Sequence, residues 1–280
     1  MEGLFAFIAH LPNWIWGAAS VIALYALFKI LGRKNGSKRF TQRAEMIERL
    51  ERMRGSRVFA IVNRAERRTL PMRIGREHIE RDTAEQLLSV IRTVKPDQPI
   101  DIILHTPGGE VTAALQIANA LKAHPGRKTA FIPYYAFSAG TLIALTTDEI
   151  VMGQQAVLGP IDPQIGGIPA ASLLRLRTEK SIDQIDDVFL LLADHAEKSL
   201  EEARVHACDL VNEAHKPTGS CALTDDLVSG GRTHGYPITV SEAKARGINI
   251  STQVPDLVFS LVDSYRDSAD EPALRHRGAP

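Results

Sequence analysis

The chain has little of what a disulfide scaffold, a metalloenzyme or a nucleic-acid binder requires. It holds two cysteines, Cys208 and Cys221, in no metal-ligand spacing. That argues against a disulfide framework, favours a reducing compartment, and makes both side chains small buried apolar groups. Zinc-type spacings such as HExxH are absent. Net charge is missing too: 33 Lys+Arg balance 33 Asp+Glu, whereas nucleic-acid binders carry a net basic face. No internal repeat appears. What is present is an ordinary globular composition, 44% apolar and 24% charged over 280 residues, enough for one large domain or two small ones.

The charge balance conceals an uneven distribution. Residues 14–31 read WIWGAASVIALYALFKIL, with no Lys or Arg before them and GRKNGSKRF directly after. About 20 apolar residues span a hydrocarbon core as a helix. Trp14, Trp16 and Lys29 suit the interfaces, and the positive-inside rule places everything after residue 32 in the cytoplasm. A cleavable signal peptide would want a basic n-region and a small-residue cleavage site, neither of which is evident. A soluble core helix fits poorly with an apolar surface all round followed by a basic cluster. The expectation is a single-pass anchor over residues 1–32 that contacts membrane lipid, with a basic stalk over 33–56. The stalk would place Met46, Leu50 and Met53 on one face.

Beyond Arg57 apolar runs alternate with amphipathic stretches. Residues 58–62, 100–105, 129–133 and 149–152 read as buried strands, and residues 78–94 and 111–123 as helices between them. This alternation predicts an α/β domain with a largely parallel sheet. Residues 181–212 predict a long helix with Val188, Leu191, Leu192 and Ala196 on its apolar side. The polar stretch after Ser264 reads as a disordered tail over 263–280.

Three segments carry candidate chemistry. LHTPGGE (104–110) ends a strand and opens a helix, and its paired glycines let backbone N–H groups face an anion. No Gly-Lys-Ser/Thr follows, so it is not a P-loop. FIPYYAFSAGTLIAL (131–145) is a strand that turns at small residues into an apolar helix starting at Ser138. The hydroxyl there lies at the positive end of the helix, beside the Ala139 amide. Read alone, Ser138 is more often an ordinary N-cap, and the Pro-Gly-Gly turn more often just a turn. QQAVLGPIDPQ (154–164) is a strand and Gly-Pro turn able to wall a groove.

In this order the segments resemble the serine dehydrogenase proteinase family, which is related to signal peptide peptidase A and more distantly to the Clp protease proteolytic subunit. The resemblance runs from Arg57 to Val262. It is most specific in TLIALTTDEIVMGQQAVLGPIDPQ and extends to SGGRTHGYPITVSEAKARGI (229–248). It implies a ClpP/crotonase-like fold of ββα units over residues 57–262, preceded by the membrane helix, and a homo-oligomer. It also implies Ser138 as nucleophile, Gly109 and Ala139 as oxyanion-hole amides, and Lys180 as base, with Lys198 and His234 as competitors. No cofactor or metal is implied. The expected protein is a serine peptidase with a Ser–Lys dyad, acting on protein or peptide substrates at the cytoplasmic face of a bacterial inner membrane. The alternatives are a hydrolase or isomerase of the acyl-CoA branch and a non-catalytic membrane scaffold.

Overall fold

The computed structural model describes residues 39–63, 78–216 and 221–265. The apolar span, the basic segment up to residue 38 and the tail from residue 266 lie outside them. Two compact units are distinguished, Met1–Met46 and Ile47–Pro280. In the first, residues 39–46 are helical. The second opens with helical residues 47–54, in which Leu50 is buried and Met53 exposed. Among the described residues no helix is long and apolar enough to cross a membrane.

The second unit is built on a five-stranded parallel sheet. β1 (Arg57–Val62), β2 (Ile100–His105), β3 (Lys128–Ile132), β5 (Glu149–Met152) and β10 (Ile250–Ser251) lie side by side in that order. Every residue of β2 and β3 is buried, as expected of strands covered on both faces. The two charges in these runs have partners. Asp101 is held by Arg54 and by the Ser56 hydroxyl at 2.7 Å. Lys128 Nζ donates to the carbonyls of His124 and Gly126, both at 3.0 Å.

Helices α1 (Arg81–Ile91) and α2 (Val111–Ala123) follow β1 and β2. α2 buries Ala113, Ala114, Ile117, Ala118 and Leu121, a stripe at helical spacing. α3 (Ala139–Leu145) is buried at all seven positions. Beyond the main sheet lie a small sheet of β4 (Tyr135–Ala136), β6 (Val157–Leu158) and β9 (Ile238–Thr239), and the hairpin of β7 (Gln164–Ile165) and β8 (Ile168–Pro169). α4 (Ala170–Glu179) packs on α5 (Asp187–Leu210). α6 (Ala222–Val228), α7 (Val240–Ala245) and α8 (Asp256–Asp263) complete the described chain.

Two expectations are corrected here. α5 turns Ala193, Ala196, Ala207 and Leu210 inward and leaves Val188 and Leu191 exposed. Of the expected stripe Ala196 is buried and Leu192 packs, with Phe189, against Ala170 and Leu173 of α4, so Val188 and Leu191 are the two that fall outside the inward face. The cysteines are not separate side chains: Cys208 and Cys221 form a disulfide with Cα atoms 5.2 Å apart. The chain doubles back between α5 and α6, which residue spacing alone does not reveal.

Candidate active site

In a parallel sheet the loops at the carboxyl ends of neighbouring strands lie next to one another, where such folds place their ligands. Here the loops after β2 and β3 are also joined. Thr106 N–H donates to Tyr135 O at 3.3 Å, and Phe137 N–H donates to Thr106 O at 3.0 Å. The glycine pair is thereby brought against the start of α3.

Ser138 occupies the second position of a tight turn closed by Gly140 N–H donating to Phe137 O at 2.8 Å. Its φ of 49° and ψ of −116° form the combination that glycine dominates in type II′ turns. It is the one non-glycine residue with positive φ among the described residues. An ordinary N-cap has extended φ/ψ and a side chain that accepts from the first turn, whereas the Ser138 hydroxyl makes no capping bond. The turn therefore presents the serine as a strand-to-helix elbow does.

The glycines explain how close the second loop comes. A Cβ on Gly108, at φ 112°, would sit 2.9 Å from Ser138 Cβ, and one on Gly109 would sit 2.2 Å from Ile79 O. Ile79 N–H donates to Gly108 O at 2.8 Å, and Glu110 N–H donates to Ile79 O at 2.9 Å. In such a parallel bridge the N–H of the residue between points to the other side. The Gly109 amide is thus left without a hydrogen-bond partner among the described residues, as is the Ala139 amide in the first turn of α3.

Gly109, Ser138 and Ala139 line one small cavity of about 40 Å³, walled mainly by apolar side chains such as Val111, Leu115, Leu142 and Ile161. His206 of α5 also lines it, a residue that sequence reasoning passed over because it sits in an ordinary charged helix. Ile161 and Pro163 of the wall flank Asp162, which is 1% exposed. Asp162 Oδ2 accepts from Gln164 Nε2 at 2.6 Å and lies 3.7 Å from His234 Nδ1. That is an ion-pair distance rather than a hydrogen bond. It leaves Asp162 Oδ1 and His234 Nδ1 buried without bonded partners. The Asp162 carboxylate raises the His234 pKa above its ordinary value, against the opposing effect of burial.

The other expected bases lie elsewhere. Lys180 caps the carboxyl end of α4, is exposed, and lines a separate cavity with Leu176, Gln184 and Phe189. Lys198 is exposed and bonded to Asp194 at 2.6 Å, and that bond raises its pKa. The structure therefore brings Ser138, Gly109 and Ala139 together, pairs His234 with Asp162, whose chain neighbours Ile161 and Pro163 line the cavity, and puts Lys180 in a separate one. Among the described residues, no group of three or more His, Cys, Asp or Glu stands together as a metal site would require.

The family model of ClpP-like SDH-type serine proteinases matches residues 16–275. The chain is 38% identical to the uncharacterised protein MJ0137 of Methanocaldococcus jannaschii over 99% of its own length and 93% of the relative's. It is 40% identical to the uncharacterised protein MJ1495 of the same organism, over 81% and 77% of the two lengths. Among solved structures it is similar to ClpP1 from Listeria monocytogenes, with a TM-score of 0.46 and 16% identity over 74% of this chain and 98% of that one. It is also similar to a mutant of the 1510-N membrane-bound stomatin-specific protease, with a TM-score of 0.45 and 18% identity over 66% and 79%.

Proposed function

The chain belongs to the ClpP-like SDH-type serine proteinases and is a serine peptidase of ClpP-like α/β fold, and from that premise we propose that Ser138 is its nucleophile. The observation that carries this reading is the Ser138 turn. A serine held at φ 49° with an uncapped hydroxyl shares a cavity with two unpartnered amides. Ser138 Oγ attacks the scissile carbonyl. The Gly109 and Ala139 amides then donate to the oxyanion of the tetrahedral intermediate, each worth on the order of 3–4 kcal/mol in the transition state.

For the base, the single chain favours His234 over Lys180. Imidazole titrates near neutrality without tuning, and Asp162 supplies the carboxylate that orients it and stabilises the imidazolium. The Ser138–Lys180 dyad implied by the resemblance would need the end of α4 carried to Ser138 by a different arrangement of the chain. Peptides enter with an apolar side chain in the cavity beside Ser138. The exposed apolar side chains of Ile182, Val188 and Leu191 are what a homo-oligomer would cover. Residues 14–31 anchor the enzyme in the membrane with the catalytic unit on the cytoplasmic side, so a reporter fused after Ser37 should behave as cytoplasmic.

The decisive experiment is reaction of the purified protein with a fluorophosphonate, followed by peptide mapping. Label on Ser138 in wild type and none in Ser138→Ala is expected. An unlabelled wild type that still binds acyl-CoA thioesters would move the protein to the acyl-CoA branch.

A further inference from the structure

The two cysteines lie outside the machinery assigned to Ser138, yet the fold links them to it. Cys208 is in the last turn of α5, and Cys221 immediately precedes α6. Both are half-buried and line an open groove of about 600 Å³ beside Lys122 and Lys216, wide enough for a small reductant. On the α5 side the chain is immobilised: Ala207, Leu210 and Val211 are core residues. Asn212 N–H donates at 2.8 Å to Leu145 O, the last residue of the helix that starts after Ser138. His215 Nε2 bonds Thr147 O at 2.8 Å just beyond.

The α6 side buries Leu223, Leu227 and Val228 in the same core and reaches the active site. α6 has seven residues, and its exposed Arg204–Asp225 tie to α5, at 3.1 Å, contributes little. Leu227 O near its end accepts from Ile161 N–H at 3.0 Å. Asp226 binds Arg232 at 3.1 Å and Arg246 at 2.9 Å. Ile161 precedes Asp162, and Arg232 lies two residues before His234. One short helix thus holds both segments that carry the Asp162–His234 pair. The disulfide ties the residue before that helix to the fixed end of α5.

We propose that Cys208–Cys221 is a thiol–disulfide exchange site that takes a dithiol reductant, and that the oxidised form is the active peptidase. The proposal rests on the reading of Ser138 as nucleophile. A thiolate of the dithiol attacks one cysteine sulfur, the S–S bond breaks, and the other cysteine leaves as a thiolate and takes up a proton. The second thiol of the reductant then resolves the mixed disulfide. In sum two electrons and two protons pass to the cysteines, and the dithiol becomes a disulfide. Reduced, α6 loses its covalent tie, and the wall residue Ile161 and the Asp162–His234 pair lose a fixed support.

The test measures the fluorophosphonate labelling rate of the full-length protein, oxidised and after dithiothreitol, with thiols counted by maleimide mass shift. Amide hydrogen exchange over residues 158–165 and 222–236 is followed in parallel. Labelling about 3- to 30-fold faster in the oxidised form is expected, the range that coupling through a packed element supplies. Reoxidation should restore it, with faster exchange in both segments when reduced. Cys208→Ser and Cys221→Ser should label at the reduced rate whether or not dithiol is present. Equal rates for oxidised protein and for protein with two counted thiols would overturn the proposal, as would a dithiol effect that persists in the serine variants. If either variant fails to fold, the wild-type comparison decides alone. Absence of label in every state would remove the nucleophile itself and the proposal with it, whereas equal label in both states removes only the exchange site.

Discussion

Ser138→Gly should make the protein more stable while abolishing its chemistry. A residue with a Cβ held at φ 49° and ψ −116° carries about 1–3 kcal/mol of backbone strain. Glycine removes that strain but adds about 0.4–1 kcal/mol of unfolded-state entropy. The difference leaves a net gain of about 1.3 kcal/mol at the middle of the two ranges, or a rise in Tm of about 3–5 °C for a domain of this size. Ser138→Ala is the matched control. It keeps the Cβ and therefore the strain, and the hydroxyl it deletes makes no capping bond, so its stability should stay within about 0.5 kcal/mol of wild type. Both variants should lose acylation, on the order of a millionfold in turnover where a serine nucleophile is removed. Scanning calorimetry of the three proteins, with fluorophosphonate labelling alongside, provides the comparison. A glycine variant no more stable than the alanine variant would refute the claim that the turn stores strain at the nucleophile.

Gly109→Ala must move the Ile79 backbone, because the new Cβ lies 2.2 Å from Ile79 O. We expect about 1–3 kcal/mol of destabilisation and a 10²- to 10³-fold drop in turnover from the displaced amide; a variant folded and fully active would make the turn purely structural. Asp162→Asn should lower turnover by up to about 10⁴-fold and shift the acidic limb of the pH–rate profile to lower pH, since the carboxylate is what raises the His234 pKa. A profile unchanged by Asp162→Asn and by His234→Ala, with activity lost in Lys180→Ala, would restore the lysine dyad. His215 is fully buried, with its pKa lowered chiefly by desolvation. The unfolded chain therefore takes up its proton first, so this contribution is complete above about pH 6.5 and is lost as pH falls through the depressed folded value. Denaturant midpoints between pH 5 and 8 should show that loss in wild type and a flatter dependence in His215→Gln.

The scaffold was legible because its signals are local. The apolar runs at 58–62, 100–105 and 149–152 are strands β1, β2 and β5 to within a residue, and the stripe over 111–123 is α2 with the same bounds. The glycine turn and the helix start at Ser138 were legible as local backbone features, whereas their assignment to a site came from the family resemblance. What escaped depends on distant segments meeting. Asp162 stood inside a motif quoted for its shape, and no spacing rule ties it to His234 on another loop. His206 faces the cavity from a helix whose neighbours are ordinary surface charges. The pairing of Cys208 with Cys221 needs the return from α5 to α6. Lys180 was assigned by family pattern, and in the single chain the end of α4 points it to another cavity.

The distribution of broken rules is itself an argument for where function lies. Several buried polar groups elsewhere are fully paired: Asp101 by Arg54 and Ser56, Lys128 by two carbonyls, Thr141 by Ala136 O and Gly159 O, His215 by Thr147 O and the Asn249 amide. At Ser138 the same chain tolerates a serine in a glycine conformation and two unpartnered amides, and beside the Ile161 and Pro163 wall a buried carboxylate stops short of a hydrogen bond to a half-exposed imidazole. Each of these costs on the order of 1–3 kcal/mol in isolation. Chance would scatter such costs through the fold, and selection for stability alone would remove them. The serine conformation and the two open amides at one cavity are explained if a substrate completes the arrangement. A carbonyl oxygen would take the two amides, and a proton from Ser138 would give the imidazole a charge for Asp162 to hold.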